Sequence, residues 1–180
     1  MIKQLDIVVL IRLYSLGLRN CESSHGKDRR NNRLWTYQSL SDELSLSKST
    51  LHRSIGNLRA SKLVLNRQVY APKFLNFLIH GVPILFPAVT GPSVIGTPTT
   101  LTARFFPPEY RLLANVQHVW PNPYGQSSGL SISPLHPSAI RLTEFDLHAH
   151  RVLAAVDSLR VGGAREQEAA TRYLSSLAQY

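Results

Sequence analysis

The sequence predicts an α+β fold in which helical ends flank a middle region of short strands and loops. All 11 prolines lie between Pro72 and Pro137, and proline disfavours helix interiors and central strands. Apolar residues outside this region recur at helical spacing, whereas inside it they form short runs bounded by proline, glycine or asparagine. A chain of 180 residues can hold one domain or two small ones. We predict two, residues 1–71 and 72–180.

The composition excludes several classes of protein. Hydrophobic residues make up 43% of the chain and charged residues 17%, which is unlike an intrinsically disordered protein. The single cysteine, Cys21, excludes a disulfide framework and fits a reducing cytoplasm. The sequence shows neither an apolar run of membrane-spanning length nor a signal peptide. We therefore expect a soluble, cytoplasmic protein with no membrane partner.

Positive charge is concentrated in the N-terminal part of the chain. The formal net charge is +9. Residues 1–80 contain 13 Lys and Arg against 5 Asp and Glu, an excess of +8, whereas residues 81–180 contain 7 against 6. A local positive surface predicts a polyanionic partner, most commonly nucleic acid. The alternative is a basic surface that only improves solubility.

Residues 2–18 are predicted to form a first helix that is buried on most sides. The apolar residues at near-helical spacing are Ile2, Leu5, Val9, Leu13 and Leu16. A run of β-branched residues between them leaves a strand as the alternative. A polar loop rich in turn-forming residues is expected at residues 19–33.

Residues 35–65 have the spacing of two short helices joined by a tight turn. Ser47 is a suitable N-cap for the second helix, because its hydroxyl can accept a hydrogen bond from a free backbone N–H. Leu46 falls in the turn, where it can be buried between the helices. This pattern predicts a helix-turn-helix with one small core. Its apolar positions are Leu40 and Leu44 in the first helix and Leu51, Ile55 and Leu58 in the second.

The run LSDELSLSKSTLHRSIGNL within this stretch resembles the winged helix-turn-helix of bacterial transcriptional regulators, including MarR-like ones. The resemblance covers residues 34–70. Members of that family commonly have alanine at the position of Ser41 and glycine at the position of Ser45. Ser45 must therefore adopt or avoid a positive φ that glycine takes freely.

The resemblance also implies a small wing after the second helix. Residues 63–65 are expected as one strand and residues 68–70 as its partner. Asn66 and Arg67 form the turn, with Arg67 at the tip. A third short strand is expected at residues 34–36.

The resemblance implies that the second helix enters the major groove of double-stranded DNA. The candidates for base contact are Ser49, His52 and Arg53, because recognition helices read bases with residues near their N-terminus. The candidates for phosphate contact are Lys48, Arg59, Lys62, Arg67, Lys27, Arg29, Arg30 and Arg33. The implied protein is a DNA-binding transcriptional regulator, a repressor, that acts as a homodimer. The alternative is an adaptor or antitoxin that uses its winged helix as a docking module for protein.

In the second half, extended segments are expected at residues 84–86, 94–95, 116–120 and 130–132. A helical turn is expected at residues 74–79, closed by His80 and Gly81. Thr143 or Ser138 is the expected cap of a later helix that ends at Gly162, and a last helix follows.

The phrases HGVPILFPA, HVWPNPYG, SPLHP and LRVGGARE in this half resemble the C-terminal parts of regulators of the abortive-infection antitoxin type. That resemblance implies an α+β domain, autoregulation of a toxin–antitoxin operon and a cognate toxin protein as partner.

We predict no enzymatic activity, no cofactor and no metal site. His148 and His150 point to different sides of a helix, and the strong metal-binding motifs are missing. Gly91 and Gly96 lack the Lys and Ser or Thr of a phosphate-binding loop, so turns are their expected role. Trp120 is expected in the core rather than in a ligand pocket.

Overall fold

The computed structural model describes residues 1–22 and 35–177, which form a mixed α+β fold, as predicted. The helices are α1 (Gln4–Glu22), α2 (Tyr37–Leu44), α3 (Lys48–Ala60), α4 (Ala71–Asn76), α5 (Val82–Leu85), α6 (Pro108–Arg111), α7 (Ser138–Leu142), α8 (Leu147–Val161) and α9 (Ala164–Ser176). The strands are β1 (Val64–Leu65), β2 (Gln68–Val69), β3 (Ser93–Thr99), β4 (His118–Pro121) and β5 (Ser127–Ser131).

Helix α1 runs through the centre of the fold. It is a helix, not the alternative strand, and its residues 7–11 are all fully buried. Burial on every side is possible because α3 and β2 pack on it from one part of the chain and α7 and α8 from another. The helix continues to Glu22, so the loop predicted from residue 19 was placed too early, and residues 23–33 of that loop lie outside the described residues.

Helices α2 and α3 begin at side-chain caps. Thr36 caps α2 by accepting from the Ser39 N–H at 3.0 Å, so the strand expected at residues 34–36 is not formed at Trp35 or Thr36. Ser47 caps α3 as predicted, accepting from the Thr50 N–H at 3.2 Å. Between the helices, Ser45 adopts the left-handed conformation, with φ 50° and ψ 46°. The serine therefore takes the backbone conformation that glycine would adopt without strain.

Strands β1 and β2 form a two-stranded antiparallel hairpin directly after α3. Val64 pairs with Val69 and Leu65 with Gln68. The two turn residues, Asn66 (φ 47°) and Arg67 (φ 68°), both have positive φ, as two-residue hairpin turns of the common type require. The predicted strand–turn–strand arrangement is confirmed, with strands of two residues instead of three.

Residues 71–85 are helical throughout, so the extended segment expected at residues 84–86 was wrong for Ile84 and Leu85. A π-helical turn at Phe77–Gly81 joins α4 to α5. Pro72 lies in the first turn of α4, where its missing N–H removes no helical hydrogen bond, whereas Pro83 lies inside the helical run, directly after the π-helical turn. Pro72 therefore begins a helix, and Pro83 does not end the helical run that contains it.

Strands β3, β4 and β5 close into a small barrel. The first half of β3 pairs antiparallel with β5 and its second half with β4, while β4 and β5 pair in parallel. Gly96 lies where both pairings meet, and a Cβ there would come within 2.1 Å of the Trp120 carbonyl oxygen. Gly96 is thus needed for close backbone approach within a strand, which corrects the turn role expected for it.

Helix α8 connects this barrel to the rest of the core. Asp146 is its N-cap, accepting from the Ala149 N–H at 3.0 Å, so neither Thr143 nor Ser138 caps it as expected. The helix ends at Gly162, as predicted. Trp120 is buried in the core, and its indole N–H donates to Asp157 of α8 at 2.7 Å.

Asp157 is a buried carboxylate that joins α8 to the barrel. It also accepts from Thr99 of β3 at 2.8 Å and from Arg160 at 2.6 Å. Burial raises the pKa of Asp157, although the charge of Arg160 and these donors act in the opposite direction. The Arg160 side chain is buried as well and donates to the Phe86 carbonyl oxygen at 2.8 Å, so this arginine has a structural role.

Candidate nucleic-acid interface

Helix α3 has a buried side and an exposed side. The predicted stripe of Leu51, Ile55 and Leu58 is fully buried against α1, α2 and the hairpin. The opposite side, here called the outer face of α3, carries exposed residues that are polar or basic apart from one glycine, and none of them is acidic. They are Lys48, Ser49, His52, Arg53, Gly56 and Arg59.

The three candidates for base contact share this outer face. The Ser49 hydroxyl lies 2.9 Å from the hydroxyl of the cap residue Ser47, so it is oriented at the N-terminus of the helix. Among the described residues, the side chain of Arg53 has no hydrogen-bond or ion-pair partner. His52 is held differently, because its imidazole stacks on the ring of Tyr37.

Three ring contacts form a continuous column from α3 to the hairpin, here called the aromatic column. The rings of His52 and Tyr37 stack with centroids 3.7 Å apart and planes 13° from parallel. Tyr37 meets Trp35 edge to face at 5.5 Å. The Arg67 guanidinium lies over the Trp35 ring, 4.4 Å from its centroid. The sequence analysis did not assign roles to Trp35 and Tyr37, although the run WTY at the start of α2 was the available signal.

Arg67 is in the hairpin turn, as predicted, but its guanidinium is turned back towards the protein. It donates to the Trp35 carbonyl oxygen, and the Trp35 indole N–H donates in return to the Arg67 carbonyl oxygen at 3.1 Å. With the ring contact, these bonds fix the hairpin turn to the segment that precedes α2. The Arg67 side chain, which was expected to contact phosphate from the tip of the wing, therefore makes its contacts within the protein.

The other candidates for phosphate contact fall into two groups. Lys48, Arg59 and Lys62 are exposed, and in the described part of the chain their side chains have no hydrogen-bond partner. Lys62 follows α3 with φ 57°, which places it between the helix and the hairpin. The second group, Lys27, Arg29, Arg30 and Arg33, lies outside the described residues.

Two buried polar side chains of α1, Asp6 and Arg12, position α3 and α2. Asp6 of α1 accepts from the side-chain amide of Asn57 at 3.0 Å, which ties the middle of α3 to α1. Arg12 of α1 donates to Glu43 of α2 at 2.9 Å and forms a buried ion pair with Asp146. Arg12 thus joins α1 to the half-buried Glu43 of α2 and to the fully buried Asp146.

The pKa values of this buried group reflect mutual stabilisation of charge. Burial lowers the pKa of Arg12, but hydrogen bonds and charge from Glu43 and Asp146 outweigh burial and raise it overall. Burial raises the pKa of Asp146, but the Ala149 N–H, the Ser15 hydroxyl and Arg12 outweigh it, so the pKa lies below its usual value. Both groups therefore stay charged inside the protein.

The histidines considered as metal ligands lie apart from the outer face of α3. The Nε2–H of His150 donates to the Pro98 carbonyl oxygen at 2.9 Å, while the His148 ring lies 6.0 Å from that of Tyr14. In residues 1–22 and 35–177, no three His, Cys, Asp or Glu side chains come together where they could hold a metal ion.

Comparisons of the chain with protein-family models, with curated proteins and with solved structures find no match. None of the helices in the described ranges combines the length and the apolar character that crossing a bilayer requires.

Proposed function

We propose that this chain is a sequence-specific, double-stranded-DNA-binding transcriptional regulator, and that residues 35–70 form a winged helix-turn-helix. The observation that carries the proposal is the outer face of α3. It presents unpaired basic side chains beside a hairpin, with its apolar stripe buried on the opposite side. A capped helix of 13 residues with this division has the dimensions of a recognition helix.

In this proposal α3 enters the major groove with its N-terminal turns. The Arg53 guanidinium donates to the O6 and N7 atoms of a guanine, and Ser49 and His52 contact neighbouring base edges. Lys48, Arg59 and Lys62 neutralise phosphates along the groove. The chain acts by binding and has no catalytic step.

Salt dependence of DNA binding tests the electrostatic part of the proposal. With roughly 6 phosphate contacts, affinity for a duplex should fall on the order of 10³-fold between 50 and 200 mM salt. Fluorescence anisotropy with labelled duplex DNA from the region upstream of the chain's own coding sequence measures it. Binding that is absent at 50 mM salt, or that does not respond to salt, contradicts the proposal.

Two alanine variants, one at Arg53 and one at Lys62, distinguish a side chain that reads a base from one that contacts phosphate. Arg53→Ala should cost about 1–3 kcal/mol on the preferred duplex and much less on a scrambled one. Lys62→Ala, the matched control beyond the end of α3, should weaken both complexes by similar factors and reduce the salt slope by about one contact. Equal losses on both duplexes for Arg53→Ala would show that α3 is rotated relative to the groove.

A protein-binding function is the second candidate. The observation that favours it is a stretch of exposed apolar side chains after the π-helical turn, where Ile84 is 79%, Leu85 59% and Val89 86% exposed. In the DNA-binding proposal a second copy of the chain covers these residues, since helix-turn-helix proteins bind paired half-sites as dimers. In the antitoxin alternative a cognate toxin covers them.

Light scattering distinguishes a second copy of the chain from a toxin as the partner that covers these apolar residues. The DNA-binding proposal expects a dimer that Ile84→Lys converts to a monomer. A monomeric wild-type protein that becomes a stable heteromer when coexpressed with the product of the adjacent reading frame supports the antitoxin alternative.

A further inference from the structure

We propose that Tyr37 is a positioning residue that holds the His52 imidazole ready to hydrogen-bond the N7 atom of a purine in the major groove. The inference rests on the proposed DNA-binding function and adds a specificity-determining residue outside the recognition helix. Its basis is the stack of the two rings, 3.7 Å apart and 13° from parallel.

The stack restricts the imidazole without using its hydrogen-bonding edge. A phenol ring covers one face of His52, while the side chain remains exposed. Among the described residues, neither ring nitrogen of His52 has a hydrogen-bond partner. The nitrogens lie in the ring plane, so stacking leaves both of them available to a ligand that approaches the edge.

Tyr37 can fix His52 because Tyr37 is itself fixed. It is the first residue of α2, directly after the Thr36 cap. Its ring meets Trp35, whose side chain is 3% exposed and which is held by reciprocal hydrogen bonds to Arg67. The position of the imidazole is thus set through contacts in α2, in the segment directly before it and in the hairpin turn.

The chemistry of the imidazole edge defines its ligand. An imidazole N–H donates, and in the major groove both guanine and adenine present N7 as an acceptor, whereas pyrimidines have no equivalent atom. A side chain that is already ordered loses less conformational entropy on binding than a free one. The aromatic column therefore favours a purine at the position that His52 meets.

The experiment begins with selection of preferred sites from a randomised duplex library by the wild-type full-length chain. His52→Ala identifies the position that His52 reads, since only the preference there should be lost. Replacing the purine at that position with its 7-deaza analogue removes N7 and should weaken wild-type binding about 3- to 10-fold, the value of one hydrogen bond. This measurement needs no variant of Tyr37.

Tyr37→Leu then tests the positioning role, with Tyr37→Phe as the variant that keeps the stack. Tyr37→Leu should lower the ratio of specific to scrambled affinity as much as His52→Ala, and the double variant should show no further loss. Tyr37→Phe should restore the wild-type ratio. Tyr124→Leu, at an exposed tyrosine outside the column, is the matched control and should bind as wild type.

NMR of the His52 ring protons reports the stack without DNA. Their upfield ring-current shift should be present in the wild type and in Tyr37→Phe and absent in Tyr37→Leu. Equal weakening of specific and scrambled binding by Tyr37→Leu, or no loss with the 7-deaza duplex, overturns the inference while leaving the DNA-binding proposal intact. Absence of any sequence preference in the wild type overturns both.

Discussion

The stability of this protein should fall on mild acidification because of one buried histidine. His150 is 5% exposed, packs 4.4 Å from the Phe105 ring, and donates its Nε2–H to the Pro98 carbonyl oxygen. Burial lowers the pKa of His150 from 6.5 to about 4, against the smaller opposing effect of the Pro98 hydrogen bond. Between these two pH values His150 is protonated in the unfolded chain but neutral in the folded chain. The contribution of His150 to stability is therefore complete above about pH 6.5 and is lost as the pH falls towards 4.

The size of the loss follows from the two pKa values. A difference of about 2.5 pH units corresponds to roughly 3 kcal/mol, of which about 2.5 kcal/mol is lost between pH 7.5 and 4.5. Urea unfolding at these two pH values measures it. His150→Gln, whose amide can still donate to the carbonyl of Pro98 but does not titrate, should lose about 2.5 kcal/mol less than the wild type. His80→Gln, at an exposed histidine, should behave as wild type. Equal pH dependence of wild type and His150→Gln would refute the reasoning.

Three further outcomes are expected. Asp146→Asn keeps a capping oxygen for α8 but removes the charge that faces Arg12, and should lower the free energy of unfolding by about 3 kcal/mol. Ser45→Gly relieves the left-handed strain and should stabilise by roughly 0.5–1 kcal/mol, whereas Ser61→Gly, at a residue with φ −80°, should destabilise. Residues 1–71 alone should aggregate or unfold, because α1 loses the helices that cover it. Urea unfolding checks the variants, and circular dichroism with light scattering checks the fragment, for which a folded monomer would contradict the expectation.

Local spacing predicted the part of the fold that depends on local interactions. The buried stripe of α3 follows from apolar residues at i, i+4 and i+7, and the Ser47 cap from a hydroxyl before them. The hairpin with its turn at Asn66 and Arg67 was expected from the resemblance to winged helix-turn-helix proteins, and its pairing is likewise local. Each of these features needs only residues that are a few positions apart.

Features that depend on distant residues were not predictable from spacing. The aromatic column joins Trp35 to Arg67 across 32 positions, and nothing in the local sequence of either residue indicates the other. Arg12 finds its buried partner Asp146 across 134 positions. The prediction failed at Pro83 for another reason, because the chain stays helical through a π-helical turn and past a residue that usually ends a helix.

The domain boundary stays a prediction, but contacts across it are specific. Arg141 of α7 donates to the backbone carbonyl oxygens of Glu43 at 3.0 Å and Asp42 at 3.3 Å, near the C-terminal end of α2. Helix α1 packs on both parts of the chain. The two predicted parts therefore share a core. For this reason residues 1–71 alone are expected not to fold stably.

The closed arrangement of β3, β4 and β5 has a consequence for self-association. Each of these strands pairs with the other two, so any stretch of strand edge that stays open to another chain is only two or three residues long. The hairpin has open edges as well, in β1 and β2, which are each two residues long. An edge of two residues is too short to template intermolecular sheet growth. The protein can therefore expose its hairpin to a ligand with little risk of aggregation through it.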